Sequence, residues 1–249
     1  MTPHGIIFDL DGTLTDSKEG LLASLRHMHD AVGWPQPSDE ELLRWLGPPL
    51  VTVLAEAGRT PDEIAVALTA FRAHMADGGL VDSTLYPGVD RLVADLDESG
   101  RPLAVATHKI QRDAEAVVEH YELRHRFRGV HGRIDGEAGH SKAPVIERAM
   151  ASLGLPADRV VMVGDRINDI ASARELGVRS IGVAYGYGGR AELAEAGADR
   201  IVETVDELAD LGGRRVDVGR ERASAERGTL GEVRPKRLLE ACLLGDHDI

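Results

Sequence analysis

Asp9, Asp11, Asp165 and Asp169 carry the most visible chemistry in this sequence. The first two stand in Gly-Ile-Ile-Phe-Asp-Leu-Asp-Gly-Thr, residues 5 to 13, where a short apolar run ends on two carboxylates and Gly12 frees the backbone to turn. At spacing i, i+2 both side chains leave the same face of an extended chain, so the two charges are expected to converge on one small volume. That is unfavourable unless a cation lies between them or one carboxyl keeps its proton. An ordinary Asp-Gly turn is one reading of the stretch. A helix-loop-helix calcium loop is excluded: counted from Asp9 the glycine stands fourth rather than sixth, and the flank is a strand.

A second pair of carboxylates follows another apolar run. Val160 to Val163 leads into Gly164-Asp165-Arg166-Ile167-Asn168-Asp169, where helix capping accounts for one acid but hardly for both. With Asp9 and the backbone carbonyl of Asp11, these two could complete an oxygen-only cation site that keeps some water, as Mg²⁺ prefers. Thr107, directly after Leu103 to Ala106, could donate its hydroxyl to a phosphate oxygen, or simply cap a helix. Lys142, just before a helix predicted over 143–153, could neutralise charge on a nucleophile and a transferring group, or be a solvated surface lysine.

Two kinds of segment must position these residues. From residue 86 to 211 helices alternate with apolar strands, at Leu103 to Ala106, weakly near 128–131, at Val160 to Val163, at Ser180 to Val183 and at Ile201-Val202. Strands this apolar are buried on both faces. That predicts an α/β fold, a Rossmann-like parallel sheet between helices with ligands at the carboxyl ends of its strands. Residues 16–85 read instead as helices: Leu21, Leu22, Leu25, Met28 and Val32 stripe the first, Ser38 caps the second, Gly58 closes the third and Thr60-Pro61 opens the fourth. The expected organisation is a core from 1–15 and 86–211, an inserted all-helical cap domain over 16–85, and a flexible, dispensable tail over 212–249.

Composition narrows the partners. A formal net charge of −13 argues against a nucleic-acid polymer or an anionic membrane surface. The single cysteine, Cys242, excludes a disulfide framework within one chain. No apolar run reaches the roughly 18 residues of a membrane span, and Met1-Thr2-Pro3-His4 lacks the pattern of a signal peptide. A cytoplasmic protein, monomer or homodimer, is expected.

Asp9-x-Asp11-Gly12-Thr13, Thr107, Lys142 and Gly164-Asp165-x-x-x-Asp169 resemble, in order, the four motifs of the haloacid dehalogenase-like (HAD) hydrolase superfamily, and the helical insertion resembles its four-helix cap. Gly47-Pro48-Pro49-Leu50, Tyr86-Pro87-Gly88 and residues 182–188 are most similar to the phosphoglycolate phosphatase and 5'-nucleotidase-like branch. His108 and Ser141-Lys142-Ala143-Pro144 depart from that branch, which often has a small or amide residue at the first place and a Lys-Pro pair at the second.

The resemblance implies a Mg²⁺-dependent phosphatase acting on a small phosphorylated metabolite. Asp9 would attack phosphorus to give an aspartyl-phosphate, and Asp11 would protonate the leaving alkoxide and later deprotonate water. Thr107 and Lys142 would stabilise the transferring oxygens, with the metal at Asp9, Asp11, Asp165 and Asp169. A phosphosugar mutase and a catalytically dead phosphate-binding protein remain alternatives; dehalogenation is disfavoured, because it leaves Asp11 no proton to supply. Discrimination is expected from residues 16–85. Arg44, Arg59 or Arg72 would meet the carboxylate of phosphoglycolate and Trp45 the base of a 5'-nucleotide, with phosphoglycolate ranked slightly ahead and phosphoproteins excluded.

Overall fold

The computed structural model describes residues 4–134 and 141–213, so the tail expected over 212–249 lies outside the described residues apart from its first two. The chain opens with β1 (Gly5–Phe8) and β2 (Thr15–Asp16), then runs through four helices, α1 (Lys18–Val32), α2 (Asp39–Arg44), α3 (Leu50–Glu56) and α4 (Pro61–His74). After β3 (Thr84–Leu85) helices and strands alternate: α5 (Val89–Glu98), β4 (Leu103–Ile110), α6 (Gln111–His120), β5 (Gly129–Arg133), α7 (Ala143–Leu153) and β6 (Val160–Gly164). The last elements are α8 (Ile167–Glu175), β7 (Arg179–Val183), α9 (Gly189–Ala196), β8 (Arg200–Val202) and α10 (Val205–Gly213).

Six strands form the main sheet in the order β5-β4-β1-β6-β7-β8, and every neighbouring pair is parallel. This is the α/β architecture that the apolar strands predict. The pleat explains it residue by residue: Ile6 and Phe8 face one side, with Val89 and Leu92 of α5 and Val117 of α6, while Ile7 faces the other, with Ile146 and Ala149 of α7 and Ala173 of α8. β1 is flanked by β4 and β6, so the first strand ends in the middle of the sheet, where the crevice of such folds lies. No helix among the described residues is long and apolar enough to cross a membrane.

The four helices α1 to α4 build a separate apolar cluster around Leu22, Leu25, Met28, Leu42, Leu54 and Ile64. Ser38 and Thr60 both start their helices with capping boxes, paired with Glu41 and Glu63. Beyond α4 the chain kinks within Met75–Gly79, where Asp77 and Gly78, the latter at φ +114°, leave helical geometry. Two features differ from the sequence expectation. The chain passes between sheet and helices twice, and those passages pair as an antiparallel ribbon, Thr15 opposite Leu85 and Asp16 opposite Thr84; two-residue strands are too short to show an alternating pattern. β4 also does not stop at Ala106 but runs on to Ile110, with a break in its pairing to β5 between Ala106 and Ile110. Such an irregularity re-aims side chains, and here it spans Thr107, His108 and Lys109.

Candidate active site

The site is built where β1, β4 and β6 end together. The Asp9 N–H donates to the Val163 carbonyl at 2.8 Å, which carries the β1 to β6 pairing one residue past the strand and fixes the Asp9 backbone in the crevice. From the other side comes Lys142, whose N–H is held by Ser172 Oγ of α8 at 2.7 Å. Its buried ammonium reaches Asp9 Oδ2 at 2.9 Å and also pairs with Asp169 Oδ1. The solvated-surface reading of Lys142 is thereby removed.

Asp165 and Asp169 are fully buried. Asp165 Oδ2 accepts from the Tyr187 N–H at 2.7 Å and Oδ1 from the Thr13 hydroxyl at 3.4 Å, while Asp169 Oδ2 accepts from the Arg166 N–H at 3.0 Å. Asp9, Asp165 and Asp169 each offer a carboxylate oxygen, and these three oxygens lie within 4.8 Å of one another. The approach requires glycine. Gly12 sits at φ +83°, and a Cβ there would stand 2.2 Å from Asp165 Oδ2.

One ammonium among three buried carboxylates leaves the group short of positive charge. Burial, with the Asp169 charge adding and Lys142 opposing, pushes Asp9 up to about 7. Burial followed by the charges of Asp9 and Asp169 holds Asp165 well above the ordinary carboxylate range. Burial works against the Lys142 ammonium, but Asp169 and Asp9 outweigh it and raise its pKa, so the lysine stays charged. Asp9 Oδ1 is buried with no hydrogen-bond partner. An all-oxygen set with an unsatisfied anionic atom fits a small hard divalent cation.

Asp11 stands apart. Its Oδ1 accepts from Ser17 Oγ at 2.6 Å and its Oδ2 pairs with Lys109 Nζ at 3.0 Å, so its carboxylate is outside the group of three. Asp9 and Asp11 line one cleft, as their spacing predicts, but each has its own partners: the chain turns after Asp9, with the Leu14 N–H on the Leu10 carbonyl at 2.9 Å, and the Asp11 carboxylate is held by Ser17 and Lys109. The acids that converge on Asp9 are Asp165 and Asp169.

Thr107 is buried beside these groups, its Oγ1 accepting from the Lys109 N–H at 3.2 Å. The sequence reading missed Lys109 and Ser17 as partners of Asp11. Lys109 could have been found two residues beyond Thr107 on the same strand; Ser17 carries no signal of its own. It also missed Tyr187, whose hydroxyl accepts from the Ser17 N–H at 3.0 Å and lies 3.1 Å from Ser17 Oγ.

A cleft that opens to solvent lies between these residues and the helices. Asp9, Asp11, Thr107, His108 and Lys109 form its sheet side. Arg72 lines it, whereas Arg44 and Arg59 do not; the Arg59 guanidinium sits 4.0 Å above the Trp34 ring instead. Trp45 lines it too, with its ring 5.5 Å from that of His29. Two sheet-side residues grip the loop after α2: the Arg166 guanidinium donates to the Leu46 carbonyl and pairs with Glu192, and His108 Nδ1–H donates to the Gly47 carbonyl at 3.1 Å. Burial and the Lys142 ammonium push His108 down to about 3, so the ring is neutral.

A parallel sheet whose crevice gathers three carboxylates, a buried lysine and a buried threonine where the pairing of β4 lapses has the groups that a phosphoryl-transfer site needs. Residues 6–183 match the family described as haloacid dehalogenase-like hydrolase. The tyrosine-protein kinase PtkA of Mycobacterium tuberculosis is 36% identical over 211 residues, 83% of this chain and 72% of that protein. Its solved structure superposes with a TM-score of 0.73 at 34% identity, covering 85% of this chain and 99% of that one. A 5'-nucleotidase of Pseudomonas aeruginosa is 33% identical over 76% of this chain and 86% of its own length, and a phosphoglycolate phosphatase of Chromobacterium violaceum 32% identical over 83% and 95%. The chain belongs to the haloacid dehalogenase-like hydrolases.

Proposed function

We propose that the chain is a Mg²⁺-dependent phosphatase of small soluble phosphate monoesters and works through an aspartyl-phosphate on Asp9. The observation that supports this most is the separation of the two first-motif aspartates. Asp9 lies among the acids and Lys142 with one oxygen unpartnered, while Asp11 faces the same cleft on partners of its own.

In the first step Asp9 forms a bond to phosphorus as the bond to the leaving oxygen breaks, and Asp11 gives that oxygen its proton. In the second, Asp11 takes a proton from water as the water oxygen attacks phosphorus, which frees Asp9 and inorganic phosphate. Lys142 and the Thr107 hydroxyl stabilise charge on the transferring oxygens, each such contact being worth roughly 3 kcal/mol. When held by Asp9, Asp165, Asp169 and the Asp11 carbonyl, Mg²⁺ supplies further neutralisation of that charge.

Residues 16–85 act as the cap over a core of 1–15 and 86–211, with the ribbon of β2 and β3 as its hinge. In the closed arrangement Arg166 and His108 hold the Leu46-Gly47 backbone against the core, which excludes water and leaves no room for a folded phosphoprotein or a nucleic-acid strand. The test is release of inorganic phosphate from a panel of small monoesters with Mg²⁺ and with EDTA, together with trapping of phosphate on Asp9. Retention of a bisphosphate intermediate would point to a mutase. Absence of phosphate release from every ester would leave a binding protein.

A further inference from the structure

We infer that the leaving group this phosphatase accepts best is an alcohol with an apolar body of ring size, rather than a short carboxylate such as glycolate; this rests on the phosphatase reading above. The cleft is two-sided. Its charged groups gather on the sheet side, where Lys109 on β4 and Arg133 at the end of β5 join Asp9 and Asp11. The opposite wall comes from the helices and is apolar apart from Arg72.

That wall is the outer layer of the helical cluster. Leu22, Met28, Leu42, Leu54 and Ala67 fill the inside and are completely or almost completely buried. Leu21, Trp45, Leu50, Val51, Leu68 and Phe71 pack against them but stay only half-buried, and all six line the cleft. These side chains come from α1, the residue that ends α2, α3 and α4, and they turn one continuous apolar surface toward the reacting carboxylates. A wall of this kind, held over a charged floor, matches a molecule with phosphate at one end and an apolar body at the other.

A two-carbon glycolate would leave most of the apolar wall uncovered, so the gain from burying that surface would be forgone. A ring covering on the order of 100 Å² of this wall gains about 70-fold at roughly 25 cal/mol per Å². Of the three arginines considered for the glycolate carboxylate, Arg44, Arg59 and Arg72, only Arg72 lines the cleft, and the surface around it is apolar.

The test compares esters that expel primary alkoxides, so that leaving-group chemistry is held nearly constant. kcat/KM is measured by phosphate release with Mg²⁺ for 2-phenylethyl phosphate, ethyl phosphate and 2-phosphoglycolate. The expected order places 2-phenylethyl phosphate at least tenfold, and up to about 100-fold, above the other two. Phe71→Ala should bring the ratio of 2-phenylethyl to ethyl phosphate toward one. Equal or faster turnover of 2-phosphoglycolate overturns the inference while leaving the phosphatase reading intact. If no ester releases phosphate, that reading fails and takes the inference with it. The wild-type ratio decides the matter even where Phe71→Ala does not fold.

Discussion

Without a divalent cation, raising the pH should cost this protein stability, and Asp9→Asn should remove much of that cost. Asp9 has an ordinary value of 3.8 in the unfolded chain and about 7 in the folded one. Between these values the native chain holds a proton that the unfolded chain has lost, so stability falls as pH rises and the full penalty is present above pH 7. This is opposite in sign to a salt-bridged carboxylate with a depressed pKa. At about 1.4 kcal/mol per pH unit the penalty from Asp9 is on the order of 4 kcal/mol, and Asp165, raised by the same burial and repulsion, adds in the same direction. A cation in the acidic group would offset it: saturation to about 100 times Kd contributes about 2.7 kcal/mol, or roughly 5–10 °C in a chain this long. The assay is thermal melting of wild type and Asp9→Asn at pH 5 and pH 8, in EDTA and in excess MgCl₂. In EDTA at pH 8 the variant should melt above wild type, the gap should narrow at pH 5, and Mg²⁺ should raise wild type far more than the variant. An Asp9→Asn protein less stable than wild type in EDTA at pH 8, or an equal response of both to Mg²⁺, would refute the reasoning.

Other perturbations separate the parts of the site. Asp9→Asn should lose essentially all turnover, since its amide is a far poorer nucleophile, while circular dichroism stays native; wild-type-like phosphate release from a sample free of deamidation would overturn the assignment. Lys142→Met strands three buried carboxylates and should destabilise the apo fold by about 3–5 kcal/mol in denaturant titrations, more at pH 8 than at pH 5. Arg166→Ala removes the charged donor on the Leu46 carbonyl, worth roughly 1.5–3 kcal/mol; it should lower kcat/KM by about 10- to 100-fold through KM, and an unchanged KM would show that the contact does not hold the closed form. Gly12→Ala combines a positive φ, which costs about 1–2 kcal/mol, with a Cβ against Asp165 Oδ2, so its Mg²⁺ requirement should rise together with its loss of melting temperature.

Much of this was legible because the fold puts strand ends in one place. Once residues 5–8, 103–106 and 160–163 read as buried parallel strands, whatever follows each of them must meet its neighbours at one edge of the sheet, and Asp9, Thr107 and Asp165 do. The helical block was legible for a different reason. Ser38 and Thr60 advertise helix starts locally, and apolar spacing shows the buried stripe. What could not be read was lateral. Strand geometry places Asp11 on the cleft with Asp9, but that it is held by Ser17 and Lys109 is fixed by how the chain leaves the sheet rather than by spacing. The end of β4 was misplaced for a related reason: Thr107 to Lys109 look like a loop because their polarity breaks the apolar run, yet the strand continues and only its pairing lapses.

The least legible residue ties the site together. Tyr187 stands in the Gly-rich stretch after β7, and its backbone N–H holds Asp165 while its hydroxyl holds Ser17 at the start of the hinge. Burial pushes its phenol above the ordinary range, so the hydroxyl keeps its proton and can donate it to Ser17 Oγ while its oxygen accepts from the Ser17 N–H. Ser17 in turn holds Asp11. One residue thus links the acidic group, through the first residue after β2, to the carboxylate proposed to move protons, and it does so across the ribbon proposed as the hinge.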